Sequence, residues 1–376
     1  MSDLDLKYMQ AALKLAGRGI GTVEPNPAVG CVIVKANQVI GRGWHKKFGD
    51  PHAEINAIED CKSHGVDPRG ATMYVTLEPC CHQGKTPPCA DAIIAAGLSR
   101  VVAATIDPSE HAVGKGIRQL ANAGIEIQTG VCQEQAMLLN APFIKFAKTG
   151  KTWVVLKWAQ TIDGKLAWAR NSDEQRWISN ESSRKDAHKL RRRVQGILVG
   201  IETVLADDPI LTPRPAKGKK PLRIILDTNL RIPLTCKLLA TAGRSDVIIV
   251  TSRLAAETNP SRVQKIEEKK AQLLYVPTVD GRCDLRAMLN ELGSRGVQQL
   301  LVEGGASVIA SFLKQKLADE VCVYIAPEIT GSRGSVSIAD KIEQLDASAG
   351  LHYVDIKRFG DDVRISGLTE RLVKFQ

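Results

Sequence analysis

Pro51-His52-Ala53-Glu54, a strand-like run over 71–77, Glu78-Pro79-Cys80 and, after Pro87-Pro88, Cys89 form the part of the sequence on which the fold turns. Its periodicity reads as helix, strand, loop and helix, with helical spacing over 53–62 and 89–96. Polar residues gather at the joints. His52 stands where the first of these helices begins, and Cys89 falls in the first turn of the second, where the helix dipole favours a thiolate. A histidine, two cysteines and a separate carboxylate are what metal-assisted hydrolysis requires: three protein ligands, an open position for water and an acid/base group that is not a ligand. Glu54, two residues beyond His52, points elsewhere on the helix and is placed to carry protons between water and a leaving amine.

Outward from this stretch the chain alternates. Leu6, Met9, Leu13 and Ala16 share one helical face, with Ser2 as cap and Gly17 as stop. Strand-like runs follow at 29–34, 71–77, 101–105 and 125–128, and a further helix-like stretch at 117–123. Together they describe one α/β unit. Over Ala141-Pro-Phe-Ile-Lys-Phe-Ala-Lys-Thr-Gly-Lys-Thr152 the periodicity lapses, and a domain boundary is expected there. A second alternation starts with the strand 153–158 and continues through 197–199, 224–227, 247–250, 273–276, 300–302 and 321–325, which predicts a second α/β domain with its own sheet. The runs 353–359 and 363–368 flank Gly360-Asp361-Asp362, a turn short enough for an antiparallel hairpin.

Composition fits this reading. A chain of 376 residues exceeds one typical core. No stretch approaches the roughly 18 to 20 apolar residues of a membrane span, and Met1-Ser-Asp-Leu-Asp-Leu-Lys7 lacks the pattern of a secretory signal, so a cytoplasmic setting is expected. Nine cysteines, an odd number, do not suggest a disulfide framework in a reducing compartment. Only Cys80, Cys81 and Cys89 cluster; Cys31 and Cys322 sit in apolar runs and read as small core residues. The net charge of +10 suits an anionic partner, nucleic acid or phosphorylated metabolite, without choosing between them. The basic run Arg184, Lys185, Lys189, Arg191, Arg192, Arg193 reads as a solvated helix face with one or two side chains turned into a site, not as a nucleic-acid surface.

His-x-Glu followed by Pro-Cys and a further cysteine is the signature of zinc deaminases. Here eight residues, not two, separate Cys80 from Cys89, and Cys81 and His82 within that insertion are rival ligands. The first domain resembles the cytidine-deaminase-like superfamily, and its long cysteine loop, with Pro25-Asn26-Pro27-Ala-Val-Gly30 and Gly43-Trp-His45, resembles specifically the bifunctional deaminase/reductases of bacterial riboflavin biosynthesis. That resemblance implies a three-layer domain over 1–147 in which His52, Cys80 and Cys89 bind Zn2+, Glu54 transfers protons, and Asn26, His45 and Lys85 hold a phosphorylated aminopyrimidine. Asp107-Pro108-Ser109 departs from the family, which commonly has asparagine after the proline.

No Gly-x-Gly-x-x-Gly follows a strand and opens a helix, so a standard Rossmann domain is not indicated. Leu301-Val302-Glu303-Gly304-Gly305-Ala306-Ser307 instead runs from strand through paired glycines into a helix, presenting backbone amides that either form a tight structural turn or receive a phosphate. With Lys157-Trp-Ala159, Trp177-Ile-Ser179 and Gly200-Ile-Glu-Thr203-Val-Leu-Ala-Asp207-Asp208-Pro209-Ile-Leu211-Thr-Pro-Arg214, it resembles the reductase half of the same family, whose fold is similar to dihydrofolate reductase. The resemblance implies an NADPH-dependent reductase over 148–376. Ala159, Trp177, Thr203, Asp207, Thr228, Gly304, Gly305, Ala306 and Ser307 would face the cofactor; Lys157, Gln175, Arg191, Leu211, Arg214 and Glu303 would line the sugar-phosphate site. Between Asp163 and Trp177 the chain carries two extra residues relative to the family and lacks its glycine-acid-serine step. The expected partner is a small phosphorylated pyrimidine, with no nucleic acid and no membrane; the sequence leaves a homo-oligomer open. The rival enzymatic reading is a tRNA or nucleobase deaminase fused to a substrate-binding domain, and the non-enzymatic one is a binding protein stabilised by closed four-ligand zinc.

Overall fold

A computed structural model describes residues 2–81, 87–109, 113–168, 177–215, 220–342 and 350–372. The chain divides into two compact units, Met1–Gly150 grouped with the last residues from Leu372, and Lys151–Arg371.

The first unit runs α1 (Asp3–Ala16), β1 (Gly30–Lys35), β2 (Gln38–Trp44), α2 (Ala53–Ser63), β3 (Thr72–Val75), α3 (Cys89–Ala95), β4 (Arg100–Ala103), α4 (Lys115–Asn122), β5 (Glu126–Thr129), α5 (Gln133–Leu139) and α6 (Ala141–Thr149). Ser2 caps α1 by accepting from the Asp5 amide at 3.1 Å, while Asp5 reaches back to the Ser2 amide. The sheet order is β2-β1-β3-β4-β5. Its period-two alternation sends Cys31, Ile33, Met73, Val75 and Val101 to one face, against Ala53, Ala57 and Cys61 of α2, Ile93 of α3 and Leu120 of α4. Val32, Val34, Tyr74 and Val102 go to the other face, against Tyr8, Met9, Ala12 and Leu15 of α1 and Ala136 of α5. This is the three-layer arrangement. Because β1 pairs antiparallel with both β2 and β3, and β4 runs parallel to β3, strands β2, β3 and β4 all end on one edge of the sheet.

Two local expectations are corrected. Residues 38–44 were not read as a strand, since Gly41 and Gly43 interrupt the apolar alternation; they form β2 because α2 packs directly on those glycines. Residues 141–149 are helical, not irregular: Pro142 sits at the first turn, where it has no hydrogen bond to lose, and Ala141 and Ile144 supply the buried side. Gly150, with φ of 65°, ends that helix.

The second unit runs β6 (Trp153–Thr161), β7 (Lys165–Trp168), α7 (Glu181–Arg193), β8 (Gly196–Gly200), α8 (Ile201–Asp207), β9 (Leu222–Leu226), α9 (Lys237–Ala240), β10 (Val247–Ser252), α10 (Arg253–Thr258), α11 (Pro260–Glu268), β11 (Gln272–Val276), β12 (Thr278–Val279), β13 (Arg282–Cys283), α12 (Leu285–Ser294), β14 (Gln299–Val302), α13 (Ala306–Lys314), β15 (Glu320–Ala326), β16 (Gly334–Ser337), β17 (His352–Phe359) and β18 (Asp362–Leu368). Nine strands make one sheet in the order β11-β10-β9-β8-β14-β6-β15-β18-β17. It is parallel from β11 to β15, and the hairpin β17–β18 closes it antiparallel. One face buries Val154, Leu156, Leu198, Leu300 and Val302 against Met288 and Leu292 of α12 and Ile309 and Phe312 of α13. Alternation therefore puts Val155, Lys157, Leu301 and Glu303 on the opposite face, the side that α7 covers.

The approach of α2 to β2 is close and bears on the site, because α2 carries His52 at its start. A Cβ on Gly43 would lie 2.1 Å from the Ala53 carbonyl oxygen and 2.4 Å from the Ala57 nitrogen, both backbone atoms. Gly43→Ala should therefore lift the first turn of α2 and cost about 1–3 kcal/mol, as overpacking does. Thermal unfolding should show a fall of several degrees; an unchanged melting temperature would mean that helix and strand are not in this register.

Candidate functional site

On the shared edge of β2, β3 and β4, two helix starts meet one loop. His52 is the N-cap of α2, Cys89 is the first residue of α3, and Cys80 follows β3 through Glu78-Pro79. His52 Nδ1 lies 3.2 Å from Cys89 Sγ and 3.5 Å from Cys80 Sγ, and all three donor atoms fall within 4.8 Å of one another. Tetrahedral zinc at ordinary bond lengths separates its ligands by about 3.3–3.8 Å, so the set fits that ion with small adjustment. Cys81, though half-buried beside Cys80, is not part of the group, and no fourth ligand joins it among the described residues. His82 lies outside the described residues. The Cys89 amide donates to Cys80 Sγ at 3.4 Å. The hydrogen bond with Cys89 draws the Cys80 thiol down to about 4 and pushes Cys89 up; His52 is raised by its contact with Cys80.

Glu54 is sealed behind the ligands, 3% exposed, and its Oε2 has no hydrogen-bond partner. Burial, reinforced by the Cys80 charge, pushes its carboxyl up to about 7, a value suited to both taking and giving a proton near neutrality. His45 leaves the end of β2 and packs edge-on to His52, with ring centroids 5.2 Å apart. Its Nδ1 lies 3.2 Å from the Pro51 carbonyl and its Nε2 3.2 Å from Asn26 Nδ2. Only one tautomer serves both contacts: Nδ1–H donates to Pro51, and Nε2 accepts from Asn26. Burial lowers the pKa of His45, in keeping with a neutral ring. Lys85 lies outside the described residues.

Two supporting residues were not recognised in the sequence. Glu78 accepts from the Asp107, Gly114 and Ile117 amides at 3.1, 2.9 and 3.1 Å, fastening the loop after β4 beneath Cys80. Asn140, between α5 and α6, brackets Ala28 by accepting from its amide at 2.8 Å and donating to its carbonyl at 2.9 Å, which fixes the turn that carries Asn26. Glu78 stood inside the quoted motif, but nothing local marks Asn140, which is 112 residues from its partner.

In the second unit the candidate residues gather toward the ends of β6, β8 and β14. Glu303 extends β14; Arg191 of α7 donates to its Oε2 from Nε at 2.9 Å and Nη2 at 2.6 Å, and from Nη1 to the Thr212 carbonyl at 3.3 Å. Burial acts to raise the Glu303 pKa, but Arg191 and Lys157 outweigh it, so the carboxylate stays charged. Its Oε1 is buried without a partner. Lys157 holds its Nζ 5.5 Å from the Tyr324 ring centroid. Gly304 and Gly305 adopt φ of 150° and 70° at the start of α13, values that favour glycine, and Thr203 of α8 closes against them: its Oγ1 is 3.1 Å from where a Gly304 Cβ would stand. Ala159, Thr203, Gly304 and Gly305 are half-buried, Ala306 is buried, and Asp207 and Ser307 are exposed. Trp177 is 53% exposed with the Arg184 guanidinium 5.5 Å from its ring centroid.

Other expected contacts divide. Leu211 is buried with φ of 56°, so its backbone is the part able to meet a ligand, and Arg214 is exposed. The Thr228 hydroxyl accepts from the Cys283 amide at 3.1 Å, which gives it a structural task between β9 and β13. Gln175 lies outside the described residues. His188, one turn before Arg191, was not singled out in the sequence, yet its Nδ1 is buried without a partner. No helix among the described residues is long and apolar enough to cross a membrane.

Comparison with known proteins bears on both sites. Residues 2–105 match the family of the cytidine and deoxycytidylate deaminase zinc-binding region, and residues 152–365 match the RibD C-terminal domain family. Riboflavin biosynthesis protein RibD of Aquifex aeolicus (strain VF5) is 42% identical over 366 residues, covering 96% of this chain and 98% of that protein. The chain is also similar to the solved structure of Acinetobacter baumannii RibD, form 1, with TM-score 0.82 and 34% identity over 98% of this chain and 99% of that one. A Thermotoga maritima diaminohydroxyphosphoribosylaminopyrimidine deaminase/5-amino-6-(5-phosphoribosylamino)uracil reductase matches with TM-score 0.82 and 34% identity over 96% of this chain and 98% of that one.

The two cysteines make opposite demands on a metal assay. Cys89→Ser should strip most of the zinc from the purified protein, and Cys81→Ser should leave it in place, as read by elemental analysis. Zinc lost with Cys81 and kept without Cys89 would transfer the ligand role to Cys81.

Proposed function

Since the chain belongs to the RibD family of riboflavin biosynthesis proteins, we propose that its first unit removes an amino group from a phosphorylated diaminopyrimidine through Glu54 and that its second unit reduces the ribosyl group of the product. It is a bifunctional deaminase and reductase of riboflavin biosynthesis. The substrates are those by which the Thermotoga maritima relative is named: the diaminohydroxyphosphoribosylaminopyrimidine, then 5-amino-6-(5-phosphoribosylamino)uracil. The single observation that carries the first half is the buried Glu54 carboxyl, its Oε2 unpartnered, beside three ligand atoms.

His52, Cys80 and Cys89 hold Zn2+, which supplies activation of water as a nucleophile at neutral pH. Glu54 takes a proton from the attacking water and gives one to the amino group as it leaves as ammonia. With its Nδ2 directed to His45, Asn26 keeps Oδ1 to accept from the pyrimidine, and Lys85 takes the phosphate. In the second unit NADPH supplies the hydride. The Gly304–Ser307 turn and Thr203 would receive its phosphates, Ala159, Trp177 and Asp207 would border it, and Thr228, whose hydroxyl also accepts from the Cys283 amide, would be a weaker contact. Lys157, Arg191, Arg214 and the Leu211 backbone hold the sugar phosphate, and the family resemblance assigns Gln175 to the same substrate. Glu303 Oε1 is left free by Arg191 to accept from a sugar hydroxyl. Residues 1–147 and 148–376 are the two functional domains, and the setting is cytoplasmic, with a small-molecule substrate and no nucleic acid.

Glu54→Gln tests this division of labour. Glutamine preserves volume and is not a ligand, so zinc and fold should remain while ammonia release falls by about 10²- to 10⁴-fold. Given the already deaminated nucleotide, the variant should oxidise NADPH at nearly the parental rate, and NADH should serve less well. Near-normal ammonia release would remove Glu54 from the reaction; a preference for NADH would overturn the cofactor assignment.

A further inference from the structure

His188 belongs to none of the motifs that define the second site. It stands one turn before Arg191 on α7, on the same side of that helix. Its ring is half-buried, and of its two nitrogens Nδ1 is the one sealed from solvent with no hydrogen-bond partner. Charges reach the ring from each surrounding element: Arg191 on its own helix, Glu303 at the end of β14, Arg214 beyond Leu211 and Lys157 on β6. Burial and the three cations hold its pKa down at about 4, so the imidazole is neutral at physiological pH.

A neutral imidazole carries one N–H. On Nδ1 that hydrogen would be a buried donor without an acceptor, in surroundings of net positive charge. On Nε2 it leaves Nδ1 as a lone pair toward those same cations, and a buried acceptor left under-satisfied is tolerated better than an orphaned donor. The ring is therefore an Nε2–H donor. Arg191, its neighbour, has Nε, Nη1 and Nη2 already engaged with Glu303 and Thr212, which reduces what it can offer a ligand. We propose that His188 is a further binding residue of the reductase site, donating from Nε2–H to an oxygen of the phosphorylated sugar. The inference rests on the reading of this site as a sugar-phosphate reductase.

Side-chain geometry supplies the test. Glutamine places an amide donor near the Nε2 position of histidine, whereas asparagine reaches only the Nδ1 position. With 5-amino-6-(5-phosphoribosylamino)uracil and NADPH, H188N and H188A should raise KM for the nucleotide by about 10-fold or more with kcat little changed, the mark of a lost binding contact. H188Q should recover most of the parental KM, and fluorescence titration should give the same NADPH affinity for all three. A KM unchanged in H188A, or an H188Q as impaired as H188A, overturns the inference while leaving the reductase reading intact. A parental protein that fails to oxidise NADPH with this nucleotide overturns both.

Discussion

A carboxylate sealed from water must be matched by donors or give up its charge, and both units are organised by how that demand is met. Glu78 meets it with three backbone amides from the loop after β4 and the start of α4. The loop beneath Cys80 is thereby tied to the sheet edge. Glu303 meets it with Arg191, which draws α7 onto the end of β14 across 112 residues of sequence. Glu54 Oε2 and Glu303 Oε1 are both left without a partner, but the charge of Arg191 keeps Glu303 ionised, whereas burial pushes the Glu54 carboxyl up to about 7. Of the three, the one not held charged is the one whose charge the proposed chemistry asks to change. Saturating Glu54 with donors would stabilise the first unit and leave it without an acid.

Much of the candidate site was legible because its residues sit at the joints of local elements. His52 and Cys89 each begin a helix, and helix starts can be read from capping, proline and apolar spacing within a few residues. Glu303-Gly304-Gly305 was readable in the same way, as a strand passing into glycines that need positive φ. The strand β2 was not, because its inward positions are glycines that pack against the α2 backbone, and a pattern search built on side chains passes over them. The helix α6 was hidden by Pro142, which ends helices in general but begins this one.

What periodicity does not show is direct pairing between residues far apart in sequence. Asn140 and Ala28, like Arg191 and Glu303, are 112 residues from each other, and no periodicity links them. His188 is a different case. Its spacing of three from Arg191 was visible, but in a run of basic residues the solvated-face reading wins until burial shows which side of the helix meets the sheet. Thr228 shows the reverse: a hydroxyl read as a weak cofactor contact also has a structural task that the sequence did not show, accepting from the Cys283 amide.

The two sites use one structural device with different atoms at the joint. Strands pointing the same way deliver helix N-termini to one edge of a sheet, and those termini attract negative charge. In the first unit the residues at the joint have reactive side chains, His52 at a cap and Cys89 at a first turn, and the charge gathered there is the Cys80 thiolate, which accepts from the Cys89 amide. In the second the joint is stripped to Gly304 and Gly305, with Thr203 closing against them from α8, so that what remains is backbone amide. Side chains at the joint give a fixed inner coordination set, and bare backbone gives room for a large anion to approach. The absence of a Rossmann fingerprint follows from the same geometry, since two consecutive glycines between β14 and α13 expose the turn without the spaced glycines of that motif.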